Sequence, residues 1–194
     1  MGSPEKKKIA RWARKIKAGD ETAFSRLFHH LHPRLVKFSW RYTQTQASAQ
    51  DVVQESFVRL WQKRSAIDPE QSLLSYLYQI VRNRSLNYLR DHSSDTLAIS
   101  ELPEHALQSH DYIPSLVSAD DELSARMLLL IDQLPSRRRE ALRLSRFEGL
   151  DHDEIAYVMG VSSRTVNNHI VAAVKTLREQ WNEYKKNHNR ITEL

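Results

Sequence analysis

The sequence predicts an all-α protein: two helical domains joined by an acidic, flexible linker. Three observations carry that expectation. Apolar residues recur at spacings of three and four along most of the chain, which is the pattern of helices with one buried face. Alternating Val, Ile and Thr runs are scarce and only 4 of the 194 residues are Gly, which argues against a sheet and its turns. Between 93 and 121 the pattern stops: Asp95, Glu101, Glu104, Asp111, Asp120 and Asp121 occur with no Lys or Arg, alongside Pro103 and Pro114. That segment is longer than the ~12–15 residues a compact domain tolerates as plain loop, so it reads as a linker between modules. The expected division is a first domain at 1–92, the linker at 93–121, a second domain at 122–182 and a polar, fraying tail at 183–194.

Taken in order, 6–17 reads as a basic helix with Ile9, Trp12, Ala13 and Ile16 on one side, broken at Gly19-Asp20. The next helix follows from Phe24, Leu27, Phe28, Leu31, Leu35, Phe38 and Tyr42 at helical spacing, with Pro33 able to kink or divide it. His29, His30 and His32 do not suggest a metal, because adjacent helical positions diverge and no carboxylate sits at i+4. A third helix, 47–63, buries Val52, Val53, Ser56, Phe57, Leu60 and Trp61. Opposite them, Asp51, Gln54, Glu55, Val58 and Gln62 form an exposed band. Most such bands are solvated faces. In a basic protein, this one also fits a basic partner.

After a loop at 64–71, a fourth helix sets Leu73, Leu77, Ile80, Val81, Arg84 and Tyr88 nearer the core. Gln79, Arg82, Asn83, Asn87 and Arg90 lie on another side, beside Tyr76 and Tyr78. Cations and amides interleaved with aromatics suit single-stranded or melted nucleic acid, whose bases stack and whose backbone is anionic. The tyrosines equally suit core filling.

Past the linker a helix over 123–134 leads into LPSRRREALRLSRFEGLDHDEIAYVMGVSSRTVNNHIVAAVKTLR. Pro135 suits a helix start, with Ala141, Leu142, Leu144, Ser145 and Phe147 inward and Glu148-Gly149 at its end. Asp151 and Glu154 form a capping box for a short helix, Gly160 supplies the turn, and Ser162 caps a long last helix. The layout is a helix-turn-helix. Arg164, Asn167, Asn168, Val171, Lys175 and Arg178 line the outer side of its last helix. Arg and Asn near the helix start pair with base edges, and Lys and Arg further along suit phosphates.

Composition narrows the classes further. The net charge of +5 is compatible with a polyanionic partner, and the mean hydropathy of −0.60 is that of a soluble protein. No apolar run approaches the ~20 residues of a membrane helix, and the basic N-terminus lacks the apolar segment of a secretory signal. Cys is absent, so disulfides and thiolate metal sites are unavailable, which points weakly to the cytoplasm. No nucleophile–base constellation and no metal or cofactor site appears, so the chain is not expected to be an enzyme.

These motifs, in this order, resemble a bacterial sigma factor of the extracytoplasmic-function group, which keeps only sigma domains two and four. GDETAFSRLF matches the opening of domain two, and DVVQESF with Trp61 the helix that grips the polymerase clamp. SYLYQIVRNRSLNYLR matches the helix that melts and reads the minus-ten element. EGLDHDEIAYVMGVSSRTVNNHI matches the domain-four reader of the minus-thirty-five element. Tyr76 and Asn87 stand where many members have Trp and Asp. The resemblance implies a promoter-specificity subunit with no cofactor. Asp51, Gln54 and Glu55 would dock on core polymerase. Arg82, Asn83, Asn87 and Arg90 would hold the minus-ten strand, with a flipped base in loop 65–72. Arg164, Thr165, Asn167, Asn168 and Lys175 would meet the minus-thirty-five duplex. The linker would thread a basic polymerase channel. The YLYQIVRN form is similar to a subgroup often controlled by membrane anti-sigma proteins, which adds that partner to core polymerase and promoter DNA. The alternative is a two-domain regulator of the LuxR-like kind using the same helix-turn-helix. That reading needs a receiver domain with alternating strands, which 1–120 does not suggest. A helical interaction adaptor, the third class, would not need the Arg164/Asn168 face.

Overall fold

A computed structural model describes residues 3–68, 71–92 and 119–192, with side chains described for 3–68, 71–92 and 123–186. Eight α-helices account for most of them: α1 Pro4–Lys17, α2 Glu21–Thr43, α3 Gln46–Gln62, α4 Leu73–His92, α5 Ala119–Asp132, α6 Ser136–Arg146, α7 His152–Met159 and α8 Ser163–Thr192. A single 3-10 turn, Arg64–Ala66, follows α3, and no strand occurs among the described residues. The strand-bearing receiver domain that the alternative reading required is therefore missing from 3–68 and 71–92. Nearly the whole acidic segment, 93–118, lies outside the described residues, and so does the expectation of its flexibility.

Local chemistry sets the helix starts. The side chains of Ser3, Asp20, Thr45 and Ser72 accept from the backbone N–H three residues on, at 3.3, 2.9, 3.2 and 3.2 Å. Asp151 and Glu154 close the expected capping box, with bonds of 3.0 and 2.9 Å. Gly160 takes φ +66°, a left-handed conformation that a side chain would strain, and this lets α7 end after eight residues and α8 set off in a new direction. Ser162 then accepts from the Thr165 N–H at 3.1 Å.

Three elements depart from expectation. Pro33 neither divides α2 nor shortens it, and the helix runs unbroken for 23 residues. Residues 183–192 continue α8 instead of forming a separate tail, since no Gly or Pro interrupts the run and Trp181 stacks on Tyr184 at 5.6 Å. Phe147, expected inward, is 49% exposed, because α6 ends at Arg146 and Phe147 leaves the helix.

Helices α1–α4 form one bundle around Leu27, Leu31, Leu35, Phe38, Val53, Phe57, Leu60 and Leu77. Helices α6–α8 form the helix-turn-helix around Leu144, Ile155, Val158 and Val166, with α5 packed on α8. The two bundles do not stand apart. Helix α4 lies directly against α7, and one continuous cluster of buried side chains runs from Ile9 through Tyr78 to Met159 and Val166. Nothing in the sequence pattern signals this contact between the modules.

Candidate nucleic-acid interface

The exposed face of α3 forms the first surface. Asp51 is exposed, as are Gln54 and Glu55 one helical turn further on, while Val52, Val53, Ser56 and Phe57 face inward. They line an open groove of about 640 Å³ together with Val58, Arg59, Gln62, Lys63 and Arg84. Val58 is 55% exposed, so an apolar spot sits among the carboxylates. Arg84, expected near the core, instead reaches outward and pairs with Glu55.

Helix α4 presents Asn83, Asn87 and Arg90 to solvent as one stripe, with the Arg90 guanidinium 3.2 Å from Asp91. Arg82 does not join them. Its side chain turns away by the ~100° that separates adjacent helical positions and is only 7% exposed. Of the two tyrosines, Tyr78 is core and Tyr76 is half-buried. Tyr76 lines a pocket of about 200 Å³ with Ile67, Asp68, Gln71, Ser72 and Leu73, across which lies Tyr157 of α7. This is the loop expected to hold a flipped base; residues 69 and 70 lie outside the described residues.

On α8, Arg164, Asn167, Asn168, Val171 and Lys175 are exposed and Thr165 is half-buried, while Val166 and Ala173 are fully buried. The outer face is therefore open as expected, and α7, α6 and the Gly160 turn fix its angle. His29, exposed, and His30 and His32, half-buried, sit on α2; His30 contacts Glu5 at 3.0 Å and the Trp12 ring at 5.6 Å. Among the described residues no group of three His, Cys, Asp or Glu side chains could hold a metal ion.

The polar seam between the bundles escaped sequence reasoning. Glu140 of α6 is buried and accepts from Arg82 Nε at 2.6 Å, from Arg82 Nη2 at 3.2 Å and from the Tyr42 hydroxyl at 2.6 Å. Glu148, also buried, accepts from the Tyr78 hydroxyl, and its carboxylate lies 3.5 Å from Arg34 and 3.8 Å from Arg41. Arg34 further donates to the Glu148 backbone carbonyl at 2.9 Å. At the edge, Lys6 bridges Asp151 and Glu154 at 2.9 and 2.6 Å, and Gln79 donates to the Tyr157 carbonyl at 3.0 Å.

Burial alone would raise the Glu140 carboxyl, but the Arg82 charge and the Arg82 and Tyr42 hydrogen bonds outweigh it and hold the group below the usual glutamate range. Burial also pushes Tyr42 and Tyr78 well up, and the neighbouring carboxylates Glu140 and Glu148 add to it, so both hydroxyls stay donors. Sequence alone signals none of this, because Glu140 looks like a surface charge beside a basic run and Glu148 like the polar end of a helix.

Comparison with known proteins decides the family. Residues 27–94 match the model of sigma-70 region 2, and residues 124–177 match that of sigma-70 region 4. The RNA polymerase sigma-H factor of Pseudomonas aeruginosa is 31% identical over 167 residues, covering 82% of this chain and 86% of that one. The chain belongs to the sigma-70 family of RNA polymerase sigma factors, in its extracytoplasmic-function group. An ECF sigma factor of Cereibacter sphaeroides is 27% identical, covering 82% of this chain and 87% of that one. Among solved structures, CnrH in complex with the cytosolic domain of CnrY matches with a TM-score of 0.62 at 20% identity, over 91% of this chain and 98% of that one. The sigma factor RpoE in complex with the anti-sigma factor NepR, from Bartonella quintana, matches with a TM-score of 0.61 at 20% identity, over 80% of this chain and 94% of that one. Both show the same fold. This sigma factor is thus a promoter-specificity subunit of bacterial RNA polymerase and not an enzyme; its partners are core polymerase and promoter DNA. No described helix is long and apolar enough to cross a membrane.

Proposed function

We propose that the three exposed faces divide the work of initiation, with 1–92 acting as sigma domain two and 122–182 as sigma domain four. The α3 face docks on core polymerase: Asp51 and Glu55 attract a basic surface and exposed Val58 packs against it, which suits a specific protein contact better than charge alone. The α4 stripe of Asn83, Asn87 and Arg90 holds the opened minus-ten strand. Its amides meet base edges and its cation meets the backbone, and the pocket beside Tyr76 receives an extruded base. The α8 face reads the minus-thirty-five duplex through Arg164, Thr165, Asn167 and Asn168, with Lys175 on phosphate. The protein works in the cytoplasm, where the polymerase is, and an anti-sigma protein is a further partner. The observation that carries the assignment is the α8 face: five polar or cationic side chains, four of them exposed, on a helix angled by a capped short helix and a left-handed glycine.

The test is reconstitution with core polymerase on a genomic promoter library. The wild type should direct initiation from a shared two-element motif. Asp51→Lys with Glu55→Lys should lose polymerase, and Arg164→Ala should keep polymerase but lose choice among upstream elements. Motif-independent initiation by the wild type would refute the division of roles.

A further inference from the structure

Glu140 and Glu148 belong to the second bundle, yet Tyr42, Tyr78, Arg34, Arg41 and Arg82 of the first reach their carboxylates. On that first bundle the cations share one face. Arg34 and Arg41 lie two turns apart on α2 with Lys37 between them, and Arg82 approaches from α4. The first bundle itself supplies one carboxylate here, Glu5, which pairs with Arg34. Cations outnumber carboxylates on this face even when it is closed: burial, and then the charges of Arg41 and Arg143, push the Lys37 ammonium down, with Glu148 opposing. The Arg82–Glu140 pair is a two-point fork, and a guanidinium fork takes a phosphate in the same geometry as a carboxylate. The face adjoins Asn83 and Asn87 on α4, where the minus-ten strand is placed above.

We propose that Arg34, Arg41 and Arg82 form a binding site for promoter-DNA phosphates, which Glu140 and Glu148 fill in the closed arrangement, so that the second domain and DNA compete for it. The inference rests on the assignment of α4 to the minus-ten strand. DNA cannot enter while α6 and α7 cover the face. Opening the seam delivers three arginines to the strand at the moment the carboxylates leave them.

The competition predicts opposite signs for changes on its two sides. Phosphate contacts carry no sequence information, so the probe is a fluorescein-labelled single strand of mixed sequence, titrated with the full chain at several salt concentrations. Glu140→Gln with Glu148→Gln should tighten binding by about tenfold or more, since the seam loses both counter-ions. Adding Arg34→Ala and Arg41→Ala to that variant should remove the gain. It should also flatten the salt slope by roughly one to one and a half units, at about 0.7 per phosphate contact on a single strand. Lys6→Glu places a third carboxylate beside Asp151 and Glu154 and changes no buried group. It should tighten binding in the same direction, which keeps the test alive if the double Gln variant does not fold.

Asn83→Ala with Asn87→Ala in the opened variant separates this inference from the one beneath it. Weakening by the arginine changes and not by the asparagine changes would support the arginine site while removing the assignment of α4. Weakening by the asparagine changes alone would keep that assignment and overturn the arginine site. Unchanged affinity in both Glu140→Gln/Glu148→Gln and Lys6→Glu would overturn the competition.

Discussion

Glu140→Gln measures what the seam between the domains is worth. The carboxylate side chain is 2% exposed and its Arg82 partner 7%, so solvent screening of the pair is slight. Removing one member of a buried pair costs about 3–5 kcal/mol, because the other charge stays behind without compensation. Gln keeps the shape and one acceptor oxygen for Tyr42 or Arg82, which puts the expected loss near the lower figure, about 3 kcal/mol. At about 1.4 kcal/mol per tenfold, that is roughly two decades in the closed-to-open ratio.

The loss should fall on closure and not on the fold of either bundle. Arg82 is anchored in α4 and its counter-ion in α6, so separating the bundles rehydrates the guanidinium without unwinding a helix. The chain has no Cys, which lets Ser25→Cys and Glu179→Cys, both at exposed positions, carry a dye pair for energy transfer across the seam. In a urea titration the energy-transfer midpoint should drop well below that of the parent, while the main loss of helicity by circular dichroism barely moves. Lys6→Ala, at a half-exposed bridge, should shift closure by no more than about 1 kcal/mol. If Glu140→Gln shifted both transitions together, or neither, the reasoning that the pair acts on domain closure would fail.

Other perturbations separate the remaining claims. Reversing Asp51 and Glu55 to Lys should weaken core-polymerase binding severely, with the melting temperature nearly unchanged because exposed charges contribute little to folding; unaltered affinity by surface plasmon resonance would remove the α3 docking role. Arg164→Ala or Asn168→Ala should cost roughly 1–3 kcal/mol on the correct upstream element and relax choice at one base, whereas Lys175→Ala should weaken all variants alike and reduce the salt slope by about one unit. Equal, uniform losses from Arg164→Ala and Lys175→Ala in holoenzyme binding to a promoter panel would show the roles to be misassigned. Closure should also depend on pH. Glu140 in the closed state sits below its ordinary value, so its contribution is fully present above the ordinary glutamate range and is lost as pH falls through the lowered value. Energy transfer should therefore fall on acidification with a component that Glu140→Gln lacks.

What could be read from the sequence, and what could not, follows from where each signal is stored. Helix existence, the capping box, the Gly160 turn and the open faces of α3 and α8 are local matters of spacing and cap chemistry, and each lies where the pattern put it. Pro33 does not divide α2, because its cost depends on how the surrounding bundle holds the helix, which no local pattern records. The burial of Arg82 is illegible in the sequence for a different reason. Helical period assigns a residue to a face of its own helix, and Arg82 does lie on a polar side of α4; what that side meets is decided by a second bundle more than fifty positions away. The same blindness hid Glu140, whose charge beside a run of arginines reads as surface patterning, and Glu148, which reads as the polar end of a helix. A buried ion pair is a contact that periodicity misses, since each half carries the mark of an exposed residue. It is also a contact suited to a reversible seam. Apolar contacts across the seam, where α4 packs on α7, resist parting in water, whereas arginines and carboxylates that part can each be rehydrated or take another partner. The seam therefore joins two kinds of contact: apolar packing of α4 on α7, and between α4 and α6 a charge pair whose two members can be rehydrated when they part.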